Sequence, residues 1–410
     1  MGMTKYLEVN LLISDKLWWQ TLMTVLNRLA TIPIDTTLIG STSLFVQGVT
    51  TTIPDTLEIS LQWDLMARAC ALFEAHEGIQ QRAGCYEYCV FTLNGIAVHL
   101  YGYLNTVVVT DPDRLAYQHA GQPFWVKALD FYLRTLPAGD VDLQAIRAYL
   151  RRLQQENSQL NQAAWNQDAY EAWIHRHGTP QSLGERLRKD PRQRLSMLSQ
   201  YLVPLAGCKV INLLGSHGAK AIAMSLLGAD VTIVDISQEN AHYAREVAAA
   251  AQTQIRYLVA DVLALAPAEL NASYQLVFME LGILHYFIDL APLARIVQQL
   301  LSPGGRLILQ DFHPISTKLI TSKGKKHRVT GNYFDKTIIV KKVAFSKHLP
   351  GQEQKDAPVV YLRQWTLGEI VTAFAAAGLL IRRLDEEPNS KIDDIGLPKT
   401  FTLVAEKPTA

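Results

Sequence analysis

The sequence lacks an excess of charge of either sign: 39 Lys and Arg residues stand against 38 Asp and Glu residues in a chain of 410. This balance excludes a protein that binds polyanions through its overall charge. The sequence also lacks a signal peptide and an apolar run of about 18 residues, the length that suggests a membrane-spanning helix. We therefore expect a cytoplasmic protein with no membrane partner.

Cysteine is scarce as well, and the chain contains only Cys70, Cys85, Cys89 and Cys208. Cys85 and Cys89 form a C-x-x-x-C motif, but no second pair of cysteines is present to complete a zinc site. We interpret the cysteines as isolated thiols in a reducing compartment, in preference to a zinc site or a disulfide, and we predict no metal site.

The length predicts two domains with a connector. Residues 1–140 alternate short apolar runs with polar turns, which is typical of a small α/β unit. Residues 141–190 place apolar residues near a helical period among Arg, Gln and Asn, which predicts a helical linker. A new core begins near residue 209, so that residues 191–410 form the second domain.

The start of the second domain has the pattern of a nucleotide-binding βαβ unit. An apolar run at 209–214 predicts a buried parallel strand, which Gly215-Ser216-His217-Gly218 and a helical run at 219–227 follow. A second apolar run at 231–235 ends on Asp235. In such units glycines let the backbone approach the ligand, and an acid about 20 residues on accepts ribose hydroxyls.

Three further predicted strands follow this unit. The run at 256–260 ends in Asp261, and the run at 274–279 ends in Glu280. A Pro-Gly-Gly turn at 303–305 then leads into a fifth strand within "LSPGGRLIL".

With these motifs, about 220 residues resemble the class I S-adenosylmethionine-dependent methyltransferases. The resemblance implies an α/β fold, a Rossmann-like seven-stranded sheet closed by an antiparallel hairpin from 379–384 and 401–405. It implies S-adenosylmethionine as cofactor, with Asp235 at the ribose and Asp261 at the adenine amino group. Glu280 and Leu281 would flank the sulfonium and methionine portion. The full predicted set of cofactor-binding residues is Tyr170, Asn212, Gly215, Ser216, His217, Gly218, Asp235, Ile236, Asp261, Val262, Glu280 and Leu281.

The glycine turn departs from the family pattern. Asn212 stands where the family has an acid, and Leu214 and Ser216 stand where it has two glycines. Gly218 alone is in register, and His217 lies next to the cofactor position.

Some classes of acceptor are excluded by absent motifs. The Asn-Pro-Pro-Tyr motif of enzymes that methylate exocyclic amines of bases, or a glutamine amide, does not follow the fourth strand. No cysteine follows a proline, as the nucleophile of cytosine-C5 enzymes does. The remaining branch methylates O, N or C atoms of small molecules, and often has a helical lid before its first strand. The segment "AYEAWIHRHGTP", with Tyr170 and Trp173, suits such a lid; alternatively, its aromatic residues dock the linker helix.

A base is needed where the acceptor atom carries a proton. The candidates at the carboxyl ends of the strands are His285, Tyr286, Asp311 and His313. His285 lies just past the fourth strand, and a histidine has the pKa that suits base catalysis near neutral pH. Each of these residues has a structural role as its alternative.

An insertion at 316–360 follows the fifth strand. Between Lys318 and His348 it contains nine Lys or Arg residues against the single acid Asp335. The alternatives are a solvated loop, or a hairpin that covers the active site and attracts an anionic substrate or a nucleic-acid backbone.

The first domain resembles the nucleotidyltransferase fold, in which Gly-Ser at a helix start precedes a strand with Asp-x-Asp. Gly40 and Ser41 fit this pattern, but Glu58 and Ser60 occupy the Asp-x-Asp positions, and His99 stands where a third acid is sought. One carboxylate does not hold the two metal ions of that chemistry. We predict a catalytically inactive domain that serves dimerisation or substrate presentation.

The sequence therefore predicts a methyltransferase of small molecules. The substrate is anionic if the basic insertion covers the active site. The alternatives are an RNA-modifying methyltransferase and a non-catalytic interaction protein that has kept the fold. A homodimer formed through the first domain is a further expectation.

Overall fold

The computed structural model describes residues 7–8, 16–73, 80–82, 84–202, 204–323, 326–388 and 396–409. These residues form two compact units, Met1–Arg152 and Leu153–Ala410. The division lies within the longest helix, so the helical linker that the sequence predicts contributes to both units. None of the helices in the described ranges is both long enough and apolar enough to cross a membrane.

The first unit has one mixed sheet of eight strands in the order β1-β7-β8-β2-β3-β6-β5-β4. Its core consists of apolar residues of α1 and of alternate residues along the central strands, including Leu57, Ile59 and Leu100. The strands are β1 (Leu7–Glu8), β2 (Thr36–Leu38), β3 (Thr56–Leu61), β4 (Gln80–Arg82), β5 (Tyr86–Leu93), β6 (Ile96–Tyr103), β7 (Arg114–His119) and β8 (Gln122–Lys127). The helices are α1 (Lys16–Leu29), α2 (Gly40–Val46), α3 (Met66–Ala71), α4 (Leu129–Thr135) and the first part of α5 (Val141–Trp165).

The second unit has a sheet of seven strands in the order β11-β10-β9-β12-β13-β19-β18. The first five strands are parallel, and β19 is antiparallel to both of its neighbours. The strands are β9 (Lys209–Leu213), β10 (Asp230–Asp235), β11 (Arg256–Val259), β12 (Tyr274–Glu280), β13 (Leu301–Phe312), β18 (Leu380–Pro388) and β19 (Pro398–Glu406). This α/β sheet with its antiparallel hairpin is the Rossmann-like arrangement that the sequence predicts.

Helices cover both faces of this sheet, because its central strands are apolar on both sides. Two buried clusters result, one on each face, with Ile233 and Phe278 in the first and Val234 and Val277 in the second. The helices are α6 (Ala169–His177), α7 (Pro180–Lys189), α8 (Pro191–Leu195), α9 (Ala219–Leu226), α10 (Gln238–Ala250), α11 (Leu290–Leu300), α12 (Gly351–Asp356) and α13 (Leu367–Ala376).

The predicted Pro-Gly-Gly turn lies within β13 rather than before it. The strand pairs with β12 at Leu301 and again from Arg306 onwards, and the register shifts between these points. Residues 302–305 therefore form a bulge that keeps both ends of the strand in the sheet.

The insertion folds into two small antiparallel pairs. One is the hairpin of β14 (Ile320–Lys323) and β15 (Lys326–Val329), and the other pairs β16 (Ile338–Lys342) with β17 (Val359–Arg363). The short helical segment Ala344–His348 follows β16. β16 therefore pairs with a strand from the end of the insertion.

Candidate functional site

The turn between β9 and α9 has the backbone of a glycine turn, although two of its residues are not glycine. Leu214 and Ser216 have φ angles of 50° and 49°, in the left-handed region that residues with a side chain rarely adopt. Gly218, with a φ angle of 69°, immediately precedes α9. The two positions where the sequence departs from the expected glycines are therefore positions of backbone strain, a feature that concentrates at functional sites.

The two glycines of this turn lie against the sheet. A Cβ atom at Gly215 would lie 2.6 Å from Ile233 Cγ2, and one at Gly218 would lie 2.8 Å from Ile233 Cδ1. The sequence pattern predicts that these glycines let the backbone approach a ligand. In the structure Ile233 fills the space they leave, so they allow the turn to pack closely on β10.

Asp235 ends β10 and is held by three protein donors. Its carboxylate accepts hydrogen bonds from the backbone N–H of Ser216 (2.9 Å), the backbone N–H of Ser237 (3.0 Å) and Nδ2 of Asn240 (3.0 Å). Burial raises the pKa of Asp235, while these hydrogen bonds act to lower it. The residue predicted to hold the ribose thus also fixes the turn to the end of β10.

Asn212 is buried, and its amide holds two strands together. Its Nδ2 donates to the carbonyl oxygen of Phe278 on β12 over 3.1 Å. A carboxylate at this position would accept rather than donate, and would lie against that carbonyl oxygen. The asparagine is therefore explained by the pairing of β9 with β12.

The remaining predicted cofactor residues lie at the same edge of the sheet. Asp261 follows β11 and accepts one hydrogen bond, from the backbone N–H of Leu263 to Oδ1 at 2.9 Å, while Val262 beside it is buried. Glu280 ends β12 and forms an ion pair with Lys220 of α9. Leu281 has a φ angle of 43° and is 40% exposed.

His217 lies within a group of aromatic rings. Its ring stacks on that of His177, with centroids 4.4 Å apart, and lies 4.8 Å from the ring of Trp173. Burial and the neighbouring His177 and Arg194 lower the pKa of His217 well below 6.5, and burial lowers that of His177 to about 4. Both rings are therefore neutral at pH 7.

Helical segments before β9 cover this edge of the sheet. Trp165 at the end of α5 donates from Nε1 to the Tyr286 hydroxyl (3.0 Å), and its carbonyl oxygen accepts from Ser237 Oγ (2.7 Å). Gln162 Nε2 donates to the carbonyl oxygen of Ile236 over 3.2 Å. The end of α5, which precedes the segment predicted as a lid, thus lies across the ends of β10 and β12. Nothing in the local sequence pattern singled out Trp165 for this position.

Tyr170 lies apart from the other predicted cofactor residues. Its hydroxyl donates to Glu246 Oε2 over 2.5 Å, and its backbone N–H donates to Glu239 Oε2 over 2.9 Å. Both acids belong to α10. The structure therefore places Tyr170 against that helix and brings Trp173 and His177, instead, to the turn.

The residues at this edge fit the predicted cofactor. Ser216 Oγ and both ring nitrogens of His217 are buried and have no hydrogen-bond partner among the described residues. Buried polar atoms without a protein partner are expected where a polar ligand supplies one. Asp261 adds a carboxylate at the edge where ligands bind in open parallel sheets.

A cavity of about 530 Å³ lies beside this edge, past the ends of β12 and β13. His285 and Tyr286 line it, together with Phe312, Trp365 and Lys341. A Cβ atom at Gly282 would lie within 3.6 Å of both Phe312 and His285, so the turn after Glu280 packs directly on the cavity wall. Burial and the nearby Lys341 ammonium lower the pKa of His285, and Asp311 acts to raise it.

Asp311 supports the turn that carries His285. Its Oδ1 accepts from the backbone N–H groups of Gly282 (2.5 Å) and Phe312 (2.7 Å), and its Oδ2 from those of Ile283 (3.3 Å) and Leu284 (3.2 Å). With four backbone donors on one carboxylate, Asp311 acts as a positioning residue for His285.

His313, the third predicted base, is absent from the lining of this cavity. Its Nδ1 accepts from the backbone N–H of Ile315 (3.1 Å), and its Nε2 lies 2.6 Å from Glu386 Oε1. The structure brings His285 and Tyr286 together and holds His313 against the closing hairpin.

In the first unit Glu58 is occupied by the protein. Its Oε2 accepts from the backbone N–H (2.7 Å) and Oγ (2.8 Å) of Ser41, at the start of α2. His99 pairs with Glu58 across β6 and β3, and its Nδ1 lies 3.3 Å from the Tyr101 hydroxyl. The described part of the chain contains no group of three or more His, Cys, Asp or Glu residues arranged to hold a metal ion.

Residues 211–305 match a family model described as a methyltransferase domain. The match extends from β9 to the bulge of β13, so it includes the turn, Asp235, Asp261 and Glu280. No curated protein matches the chain.

Solved structures similar to this chain cover 54–61% of it. An S-adenosylmethionine dependent methyltransferase from Mesorhizobium loti is 21% identical, with 54% of this chain and 100% of that chain covered and a TM-score of 0.43. Magnesium protoporphyrin IX methyltransferase from Synechocystis PCC 6803, with bound SAH, is 16% identical, with 61% and 99% covered and a TM-score of 0.38. A methyltransferase dependent on S-adenosylmethionine from Clostridium acetobutylicum ATCC 824 is 15% identical, with 54% and 92% covered and a TM-score of 0.39.

At these identities and scores the solved structures are likenesses only, and the assignment depends on the matched segment 211–305. That segment contains the strained turn and the acids at the ends of β10 and β12. The C-terminal unit of this chain therefore contains a methyltransferase domain, matched over residues 211–305.

Proposed function

We propose that this domain transfers the methyl group of S-adenosylmethionine to an O, N or C atom of a small-molecule metabolite. The observation that carries this proposal is the cavity of about 530 Å³ past the ends of β12 and β13. Its volume is within the range of about 300–1,000 Å³ that is typical of small-molecule sites. Most of its surface is apolar, and about half of its lining residues carry polar or charged groups that can orient a ligand.

The bound cofactor supplies an electrophilic methyl group on a sulfonium sulfur. The wall of the cavity orients the acceptor atom towards that carbon, and positioning provides most of the catalysis. Where the acceptor atom carries a proton, His285 accepts it, because its ring is neutral at pH 7 and lines the cavity. Tyr286 remains a second candidate for contact with the acceptor, and His313 remains a prediction without support from the cavity.

Cofactor recognition is proposed for the residues at the edge of the sheet. Asp235 and Asp261 would hold the ribose and the adenine amino group, and Ser216 and His217 would contact the methionine portion. The support is their common location and the unpartnered polar atoms of Ser216 and His217.

The RNA alternative depends on the basic insertion, and two observations weaken it. Lys318 is buried, and its ammonium donates to the carbonyl oxygens of Asp335 (2.6 Å) and Gln364 (2.8 Å). This ammonium is therefore not exposed for contact with an RNA phosphate. Lys342 donates to two carbonyl oxygens of α12. Lys325, another of the nine basic residues, lies outside the described residues.

For the first unit we propose a nucleotidyltransferase-like domain without catalytic activity, which serves dimerisation or substrate presentation. The support is that Ser41 occupies the carboxylate of Glu58. A cytoplasmic location and a homodimer are part of the same proposal.

The test is a methyl-transfer screen that offers labelled S-adenosylmethionine to the full chain with pooled metabolites or with bulk RNA. We expect transfer to the metabolite fraction that His285→Ala reduces. Transfer to RNA alone would replace the proposal with its alternative, and transfer to neither would favour an interaction protein.

A further inference from the structure

The polar side chains that line the cavity differ in whether the protein already satisfies them. Ser316 Oγ donates to the carbonyl oxygen of Pro398, and Gln364 Nε2 donates to that of Thr317. Thr317 Oγ1 donates in turn to the carbonyl oxygen of His313. Each of these neutral groups thus already donates a hydrogen bond to the backbone.

Several of the charged and aromatic groups in the lining also have hydrogen-bond partners within the protein. Asp311 accepts four backbone N–H groups, and the Tyr286 hydroxyl accepts from Trp165. Trp365 Nε1 donates to the carbonyl oxygen of Leu284. The ammonium of Lys342 donates to the carbonyl oxygens of Gln354 and Lys355.

Four lining side chains have no hydrogen-bond partner among the described residues: His285, Lys341, Ser346 and Lys347. Two are ammonium groups, which only donate, and one is a hydroxyl. His285 is neutral at pH 7, so one of its nitrogens accepts. The cavity thus offers donors with net positive charge, together with an accepting nitrogen of His285 and a hydroxyl that both donates and accepts.

The rest of the wall is apolar. Phe312, Val343, Leu362, Trp365 and Phe401 contribute aromatic and branched side chains to it. A ligand that matches this wall has an apolar body, and burial of that body provides the main attraction.

We infer that the methyl acceptor is an amphipathic organic acid: an aryl or branched apolar body with a carboxylate that Lys341 and Lys347 bind, and a protonated O or N atom at His285. This inference rests on the proposed function of the same site. In the transfer, a lone pair of the acceptor atom forms the bond to the methyl carbon, and the sulfur–carbon pair stays on sulfur. The acceptor proton passes to His285.

The experiment measures binding of matched pairs of ligands to the full chain in the presence of S-adenosylhomocysteine. Each pair is a hydroxyaryl or branched alkyl carboxylate and its neutral carboxamide, for example para-hydroxyphenylpropanoate and its amide. We expect the carboxylates to bind about tenfold more tightly than the amides, the usual effect of a hydrogen bond to a charged group.

Two variant proteins test whether Lys341 and Lys347 cause the preference for the carboxylate. Lys341→Gln with Lys347→Gln should remove most of the preference for the acid while the affinity for S-adenosylhomocysteine stays unchanged. Lys342→Gln is the matched control, because Lys342 lines the same cavity but its ammonium is bound by α12; it should keep the preference.

The outcomes separate this inference from the function on which it rests. If S-adenosylhomocysteine binds but the amides bind as well as the acids, or no acid binds, the acceptor class is wrong and the methyltransferase proposal stands. If S-adenosylhomocysteine itself does not bind, the proposed function fails.

Discussion

Oδ2 of Asp235 accepts a hydrogen bond of 2.9 Å from the backbone N–H of Ser216, and this bond joins the end of β10 to the strained turn after β9. Ser216 has a φ angle of 49°, so its N–H is aimed by a backbone conformation that costs free energy. The two residues that the sequence assigns to the cofactor are therefore coupled before any cofactor binds.

Replacement of Asp235 should affect both binding and stability. Asp235→Ala leaves the N–H groups of Ser216 and Ser237 and the amide of Asn240 without an acceptor, in a buried place. We expect loss of measurable S-adenosylmethionine binding by calorimetry and a decrease of about 1–3 kcal/mol or more in the free energy of unfolding.

Asp261→Ala is the comparison for this variant. Asp261 accepts one hydrogen bond, from the N–H of Leu263, so we expect weaker cofactor binding with a stability loss of only about 1 kcal/mol. An Asp235→Ala protein that binds cofactor like the wild type would contradict the assignment.

Ser216→Gly should stabilise the protein. The left-handed conformation costs a residue with a side chain about 1–2 kcal/mol, while a glycine loses about 0.4–1 kcal/mol through the entropy of the unfolded chain. Because Ser216 Oγ has no partner among the described residues, its removal costs little. We expect a net gain of roughly 0.5–1 kcal/mol in urea denaturation.

Ser216→Ala removes the same hydroxyl but keeps the strained Cβ, so its stability should match that of the wild type. A glycine variant less stable than the alanine variant would show that Ser216 is not strained.

His285 should determine the acid limb of the pH–rate profile. The neutral ring is the proposed base, and burial lowers its pKa below 6.5, so the rate should be constant near pH 7 and fall as the pH decreases through that lowered pKa. His285→Gln should decrease kcat by about a hundred- to ten-thousand-fold without a change in cofactor affinity.

Lys341→Gln should move the acid limb of this pH–rate profile in a defined direction. The Lys341 ammonium lowers the pKa of His285, and Asp311 acts to raise it. Without the ammonium the pKa rises, so the acid limb should move to higher pH. An acid limb that does not move in this variant would show that another group titrates.

In the first unit, Glu58→Ala should loosen the start of α2. Its carboxylate accepts from both the N–H and the hydroxyl of Ser41, so the buried N–H loses its acceptor. Because Ser41 and Glu58 are only partly buried, we expect faster hydrogen exchange in a peptide covering residues 40–61, equivalent to about 1 kcal/mol of local stability.

The wild-type protein should show no change in exchange on addition of Mg²⁺, because Ser41 already occupies Glu58. Protection by Mg²⁺ that is lost in Glu58→Ala would instead indicate a working metal site, contrary to the proposed inactive domain.

The order of strands along the second unit could be predicted because a short segment of sequence specifies each strand. The apolar runs that end on Asp235, Asp261 and Glu280 each specify a buried parallel strand and the position of its carboxyl end. The structure confirms these elements, with boundaries that differ by one or two residues from those expected.

The contacts within the site could not be predicted in this way. Lys220 and Glu280 lie 60 positions apart in the chain, and nothing in either local pattern specifies their ion pair. The four backbone bonds that occupy Asp311 depend on how the turn after β12 folds back on β13. Left-handed conformations at Leu214 and Ser216 are likewise imposed by the fold, since their side chains disfavour them.

The central claim is that the edge of the sheet at Asp235 binds S-adenosylmethionine, and isothermal titration calorimetry of the full chain tests it most directly. We predict saturable binding of S-adenosylmethionine at one site per chain, which Asp235→Ala abolishes and His285→Gln leaves unchanged. Absence of binding at millimolar S-adenosylmethionine, with the wild-type protein folded, would contradict it.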